Sequence, residues 1–259
     1  MSDSEFIRFV EITKRLRKDC PWDSEQTHAS IRHSLIEEAY EVVEAIDTDN
    51  LEELRKELGD LLLHVVFHAN IAEEQHEFTL EEVIEGITQK LIYRHPHIFA
   101  QKVESPGASK KMNAQEVKEN WEKLKLKEGR ASLMDGVPKE LPALLRAHRL
   151  QDKASKVGFD WRKREDAWKK VEEETRELQR AIESEDQNRV EAEFGDLLFA
   201  LVNYSRFIDV NPENALRRTI TKFVNRFQYI ERKLKESGKD IQSSTLEEMD
   251  GFWEEAKKK

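Results

Sequence analysis

Two short stretches, Glu173-Glu174-Thr175-Arg176-Glu177 and, a little further on, Glu193-Phe194-Gly195-Asp196, govern the reading of the whole chain. On an α-helix, residues three apart stack on one face, so Glu174 with Glu177 and Glu193 with Asp196 form two carboxylate pairs, each aimed one way. Like charges held in this manner repel. The connection between them, Ser184 to Gln187, is short and polar, which predicts antiparallel helices with the two pairs face to face. Up to four carboxylates converging on one point are unfavourable without a counter-ion and suit a hard divalent cation.

The same arrangement occurs earlier, as Glu37, Glu38 and Glu41 followed by Glu57 and Asp60. Glu37 and Glu173, Glu57 and Glu193, and Asp60 and Asp196 are each 136 positions apart, and Gly59 falls on Gly195. Lys90 and Lys222, Arg94 and Arg226, and Trp121 and Trp253 are each 132 apart, so one four-residue deletion in the second copy accounts for all three. Upstream, Trp22-Asp23 matches Phe159-Asp160 at a spacing of 137. The repeat is far too long for a solenoid unit. It predicts two homologous helical bundles in tandem, residues 1–130 and 131–259.

Composition agrees with an all-α fold. Of 259 residues, 37% are charged and 38% apolar, with only nine Gly and six Pro, a mixture rich in helix formers and poor in turn formers. A formal charge of -10 argues against direct nucleic-acid binding, which needs a net basic footprint, but leaves room for a polyphosphate bound through a metal. Cys20 is the single cysteine, so no intrachain disulfide forms. With no signal-like start and no apolar run of membrane-spanning length, a soluble, cytoplasmic protein is expected, with no membrane partner.

Along the chain, apolar spacing predicts helices over Glu5–Arg17, Thr27–Ile46 and from Leu51, broken by Cys20-Pro21 and by the turn Asp47–Asn50. Thr79 and Glu82 form a capping box that starts a helix ending near Arg94, before His95-Pro96-His97. Gln101–Lys111 reads as a loop, Ala114–Lys127 as a helix and Gly129–Pro142 as the linker. The apolar runs Leu61–Phe67 and Leu197–Val202 are expected to be buried. A small bundle keeps an apolar side after folding, and dimerisation through helical faces is expected.

Duplication supplies a filter, because residues demanded by shared chemistry should occur in both copies. The five acids pass, as do Lys90 with Arg94 and Lys222 with Arg226, four apart and so on one face. His64 and His68 fail, their counterparts being Ala200 and Tyr204, which disfavours a histidine-ligated iron or manganese site. Oxygen donors alone point to Mg²⁺, with Mn²⁺ as a substitute. A run of Glu on a helix is ordinarily a solvated face, but recurrence at identical spacing beside an apolar segment sets these apart. For Trp121, Trp161 and Trp253, a core role competes with base stacking.

Taken together, the acidic motifs, Cys20-Pro21-Trp22-Asp23, Glu57-Leu58-Gly59-Asp60-Leu61, Arg94-His95-Pro96-His97, Val157-Gly158-Phe159-Asp160-Trp161 and the tandem layout closely resemble the MazG family of nucleoside triphosphate pyrophosphohydrolases. The resemblance extends over almost the whole chain. It implies Mg²⁺-dependent hydrolysis of NTPs and dNTPs to monophosphate and pyrophosphate by a homodimer, chiefly in the second copy. By the same resemblance, Glu174, Glu177, Glu193 and Asp196 are metal ligands, and Lys222 and Arg226 contact the triphosphate. Trp253 takes the place of a nucleotide-contacting tryptophan, and Arg189 stands where relatives have a lysine near the phosphates. Glu173 or Glu174 is a general base towards water, and Glu193 belongs to the catalytic set. Glu37, Glu38, Glu41, Glu57, Asp60, Lys90 and Arg94 form a second candidate site. The competing reading is a helical nucleotide sensor or scaffold without turnover.

Overall fold

The computed structural model describes residues 3–99, 113, 117 and 132–258. The expected loop at 101–111, the expected helix at 114–127 with Trp121, and the first residues of the expected linker lie outside them, apart from Val117, which is helical. Among the described residues there are helices and no strands. The chain divides into two compact units, Met1–Glu128 and Gly129–Lys259.

In the first unit, α1 (Asp3–Asp19) leads through the short α2 (Pro21–Ser24) to α3 (Arg32–Asp47), α4 (Leu51–Glu74), α5 (Leu80–Arg94) and the one-turn α6 (Pro96–Phe99). Helix α3 starts later than the apolar spacing predicts. Thr27 and Ser30 exchange hydrogen bonds, Thr27 N–H to Ser30 Oγ at 2.9 Å and Ser30 N–H to Thr27 Oγ1 at 3.2 Å, which holds the backbone in a turn before the helix. Helix α4 is fixed at its start by Asn50, whose side chain accepts from Glu53 N–H. Helix α5 carries the Thr79–Glu82 capping box in full.

The second unit comprises α7 (Ala143–Ser155), α8 (Arg164–Glu183), α9 (Gln187–Phe207), α10 (Pro212–Glu236), a 3₁₀ turn (Ile241–Ser243) and α11 (Leu246–Ala256). Asp186 caps α9 as Asn50 caps α4. Duplication reaches the backbone itself: Asp49 (φ 54°) and Glu185 (φ 55°), 136 positions apart, both adopt the left-handed conformation that turns one helix into the next. The dominant packing in each unit is this hairpin, α3 on α4 and α8 on α9, with α1 against α4 and α7 against α9.

The apolar runs are only half covered. Val66, Phe67, Ala200 and Val202 are buried, whereas Leu62, Val65, Leu198, Phe199 and Leu201 remain exposed, Leu198 at 40%. A helix apolar on all sides can cover only the stripe facing its neighbours within one small unit, so the expectation of wholly buried segments is corrected. Further exposed apolar stripes run along α5 (Val83, Ile84, Ile87, Leu91) and α10 (Leu216, Ile220, Phe223, Val224, Phe227).

Candidate active site

In the second unit the hairpin brings Glu174 from α8 together with Glu193 and Asp196 from α9, with one oxygen of each within 4.8 Å of the others. Glu174 forms the floor at 5% exposure, Glu193 is half-buried and Asp196 is exposed. Glu173, Glu174 and Glu177 form an overlapping group within the same limit. Three cations stand close by. Lys170 Nζ lies 2.6 Å from Glu174 Oε1 and 2.8 Å from Glu173 Oε1, Arg180 lies 3.5 Å from Glu177, and Arg189 lies 3.8 Å from Glu193. Hydrogen bonds to Glu173 and Glu174 push the Lys170 ammonium above its ordinary range, and the Lys170 bond holds the Glu173 carboxyl below its own.

The first unit repeats the convergence with Glu38, Glu57 and Asp60. Here the buried member is Glu57, at 8% exposure. Its pKa is pushed up to about 7 by burial first, then by hydrogen bonding with Glu53 and Glu41 and by their charge. Burial, followed by repulsion from Glu41, Asp60 and Glu37, likewise raises Glu38. The positions matching Lys170, Arg180 and Arg189 are Ser34, Glu44 and Glu53, so none of the three cations of the second unit has a counterpart.

Not every residue singled out from the sequence joins these groups. Glu177 groups with Glu173 and Glu174 rather than with Glu193 and Asp196, so no single point gathers all four expected ligands within that distance. Glu37 and Glu41 lie outside the first-unit triad, although Glu41 hydrogen-bonds Glu57. Lys222 and Arg226 sit inside the uninterrupted α10, which packs on α7 and α11. Among the described residues neither makes a hydrogen bond or ion pair with the carboxylates. Arg226 lies over the Trp253 ring at 5.3 Å, and Trp253 also meets Phe223 at 5.5 Å. Trp161 is exposed at 46%, not a core residue. Lys90 is exposed on α5, and Arg94 is the last residue of that helix. Lys170 was not anticipated. Its i,i+4 spacing to Glu174 is visible in the sequence, but a filter that keeps only residues present in both copies discards it.

A family model described as the MazG nucleotide pyrophosphohydrolase domain matches twice, at residues 26–99 and 162–230, each match spanning one acidic hairpin. The chain belongs to the MazG family. Among MazG relatives, a Thermotoga maritima protein named nucleoside triphosphate pyrophosphohydrolase/pyrophosphatase MazG is 44% identical, over 97% of this chain and 95% of its own length. The nucleoside triphosphate pyrophosphohydrolase of Escherichia coli is 39% identical over 98% of both chains. A crystal structure of a MazG-related protein from Thermotoga maritima aligns with 46% of this chain and 98% of its own, at 28% identity and a TM-score of 0.40. Among the described residues, no helix is long and apolar enough to cross a membrane.

Proposed function

We propose that the chain hydrolyses nucleoside triphosphates, both ribo- and deoxy-, between the α and β phosphates to give a monophosphate and pyrophosphate, with Mg²⁺ as cofactor and the second unit as the main catalytic copy. The observation that carries this reading is the convergence of Glu174, Glu193 and Asp196 in a chain of the MazG family. Their donors fit a hard cation: all are carboxylate oxygens, drawn from two helices, with a buried floor and an open rim. Glu57 makes the same point in the first unit, where burial first, and then the neighbouring Glu53 and Glu41, raise its pKa to about 7. Glu174, Glu193 and Asp196 would hold the ion, and Glu38, Glu57 and Asp60 a second one. When bound, Mg²⁺ supplies Lewis-acid polarisation of phosphate oxygens and charge neutralisation.

The chain's own groups supply the rest. Hydrolysis breaks the bond from the α phosphorus to the bridging oxygen, transfers a water oxygen to that phosphorus and sends the electron pair out on pyrophosphate. Glu173 stays ionised because Lys170 hydrogen-bonds it, and it is positioned within the overlapping carboxylate group to take the proton from the attacking water. Lys222 and Arg226 bind the departing pyrophosphate, and regular helix on both sides of Arg226 limits the motion of its backbone. Arg189, 3.8 Å from Glu193, exchanges that carboxylate for a phosphate oxygen when substrate arrives. Trp253, stacked with Arg226, offers an aromatic edge to the nucleoside.

The exposed apolar stripes of α5 and α10 and the far sides of α4 and α9 support a homodimer, since a monomer in water rarely leaves such stripes uncovered. A cytoplasmic location fits the nucleotide substrate. Pyrophosphate release from a panel of NTPs and dNTPs tests the function. The expected result is release that needs Mg²⁺, is restored by Mn²⁺ after chelation, and disappears in Glu193→Gln. Orthophosphate as the product, turnover in excess chelator, or full activity of Glu193→Gln would overturn it.

A further inference from the structure

The motif Val157-Gly158-Phe159-Asp160-Trp161, which links α7 to α8, has no part in the chemistry assigned so far. Its apolar side chains remain in water: Val157 is 58% exposed, Trp161 46% and Phe159 83%, the highest among the large apolar side chains described. Slack does not explain this, because the loop is fixed. Gly158, at φ 88°, takes the left-handed turn that ends α7, and the N–H groups of Gly158 and Phe159 donate to the carbonyls of Ser155 and Ala154 at 3.0 and 3.2 Å. The Asp160 carboxylate accepts two bonds from Arg206 of α9, at 2.6 and 3.3 Å, and its Oδ1 also accepts from Trp161 N–H at 2.9 Å. One carboxylate thus joins a guanidinium on α9 to the backbone of Trp161. Trp161 is not a core residue, and a ring held by its backbone but open to water is suited to receive a flat ligand.

The anchor also sets where the loop stands. Arg206 donates to Asn203 Oδ1 at 2.6 Å, and Asn203 follows Asp196 by seven residues on α9. Seven residues are two turns, so Asn203 and Asp196 leave the same side of the helix about 10 Å apart along its axis. That separation is comparable to the ribose and base of a nucleotide whose phosphates meet the carboxylate triad. Exposed Arg162 and Lys163 follow the loop and favour a polyanion nearby. At the spacing of 137, Phe159 and Asp160 match Trp22 and Asp23, but Trp161 matches Ser24, so this ring belongs to the second unit alone. In the first unit the segment after the matching loop packs back on α4 instead, where Nδ1 of His28 and Nδ1 of His68 are 2.8 Å apart.

We propose that Trp161, held in place through Asp160 by Arg206, is the platform on which the nucleobase of the substrate stacks, an inference that rests on the function proposed above. Trp161 contacts the base, and Arg206 is a positioning residue. Every base has a π-face, so stacking on an indole binds purines and pyrimidines alike and suits turnover of several nucleoside triphosphates. Trp253, packed on Arg226 and Phe223, is a separate contact.

Calorimetry of the full chain in Mg²⁺, with the non-cleavable α,β-methylene analogue of ATP and with inorganic tripolyphosphate, which has no base, tests this. Trp161→Ala should weaken binding of the analogue roughly 5- to 150-fold and change that of tripolyphosphate less than about twofold, with Trp161→Phe recovering most of the loss. Should Trp161→Ala fold poorly by circular dichroism, Trp161→Leu, which keeps apolar bulk without a π-face, carries the decision. The proposal is overturned if the parent does not bind the analogue, if the folded Trp161→Ala chain binds it as the parent does, or if that chain loses both ligands equally. Failure of the parent to release pyrophosphate would fall on the function proposed above, and the binding comparison would still decide the platform.

Discussion

In the second unit Lys170 stands 2.6 Å from the buried Glu174, whereas the matching position of the first unit is Ser34 and the buried Glu57 shares hydrogen bonds with Glu53 and Glu41. The same three carboxylates converge in both hairpins, but the side chains at the matching flanking positions differ. Lys170 and Arg189 pair with members of the second triad and Arg180 with the adjoining Glu177, and acids take two of those three places in the first unit. On the proposed reading, the second site admits a polyanion beside its cation, whereas the first favours cations over a triphosphate. The proposed division of labour between the copies rests on these flanking positions, because the acids themselves do not differ.

A second contrast concerns the loop before each hairpin. Arg17 on α1 donates from Nε to Glu74 at 3.0 Å, from its Nη atoms to the Glu74 carboxylate and to the carbonyls of Asp23 and Gln26, and lies over the Phe67 ring. In the second unit the position matching Arg17 is Ala154, and the loop is held from α9 instead, by Arg206 bound to both oxygens of Asp160 at 2.6 and 3.3 Å. The residue matching Arg206 is Asn70, 2% exposed, whose amide has no protein partner. Each loop is tied by one guanidinium, buried for Arg17 and half-buried for Arg206, recruited from a different helix.

The largest expected effect separates the two triads. Glu193→Gln should lower pyrophosphate release by roughly 10²–10⁴-fold with the helical circular dichroism intact, while Glu57→Gln should lower it less than about tenfold, a loss confined to positioning. Equal losses would show two turnover sites. Next in size is the loop anchor: Arg17→Met leaves the exposed Glu74 and two loop carbonyls without a donor and should destabilise the first unit by about 1–3 kcal/mol. Arg206→Met, which gives up bonds to Asp160 and Asn203 but to no loop carbonyl, should cost the second unit less, about 1 kcal/mol. Denaturant unfolding measures both, and a smaller loss for Arg17→Met than for Arg206→Met would break the comparison.

Titration sharpens it further. Glu57 has a folded pKa of about 7 against 4.5 for the ordinary group, so the native state binds the extra proton. Its contribution to stability is fully present below about pH 4.5 and is lost as pH rises towards and through 7. The metal-free chain should therefore melt at a lower temperature at pH 7.5 than at pH 5 in the transition of the first unit, and Glu57→Gln should reduce this difference. An unchanged difference in Glu57→Gln would remove Glu57 as its source. Smallest of all, Leu198→Ala at a 40% exposed site should cost only about 1 kcal/mol in dilute solution, and more at concentrations where the proposed homodimer would cover the stripe. A cost independent of concentration would count against that interface.

Helix positions, both hairpin turns and the Thr79–Glu82 cap follow from periodicity and cap chemistry and were legible in the sequence. Spacing also put the triad residues on facing helices. It did not say which would be buried, because i,i+3 spacing defines a face but not a depth. Hence Glu57 is the floor of one site and Glu174 the floor of the other. The Lys170 bridge escaped notice because it occurs in one copy only. The start of α3 moved because Thr27 and Ser30 satisfy each other's backbone before the helix does. His28 and His68 are 40 residues apart, and only the packing of the turn against α4 joins them. The runs Leu61–Phe67 and Leu197–Val202 read as core because hydropathy counts side chains without counting neighbours.

The central claim is that each carboxylate triad is a divalent-cation site, and Mn²⁺ binding to the metal-free chain, followed by electron paramagnetic resonance as free ion disappears, tests it most directly. The account predicts two classes of site in the parent chain, loss of one in Glu193→Gln and of the other in Glu57→Gln, with the class lost in Glu57→Gln weakening below pH 7 as Glu57 takes up its proton. Binding in Glu193→Gln and Glu57→Gln indistinguishable from the parent would contradict it.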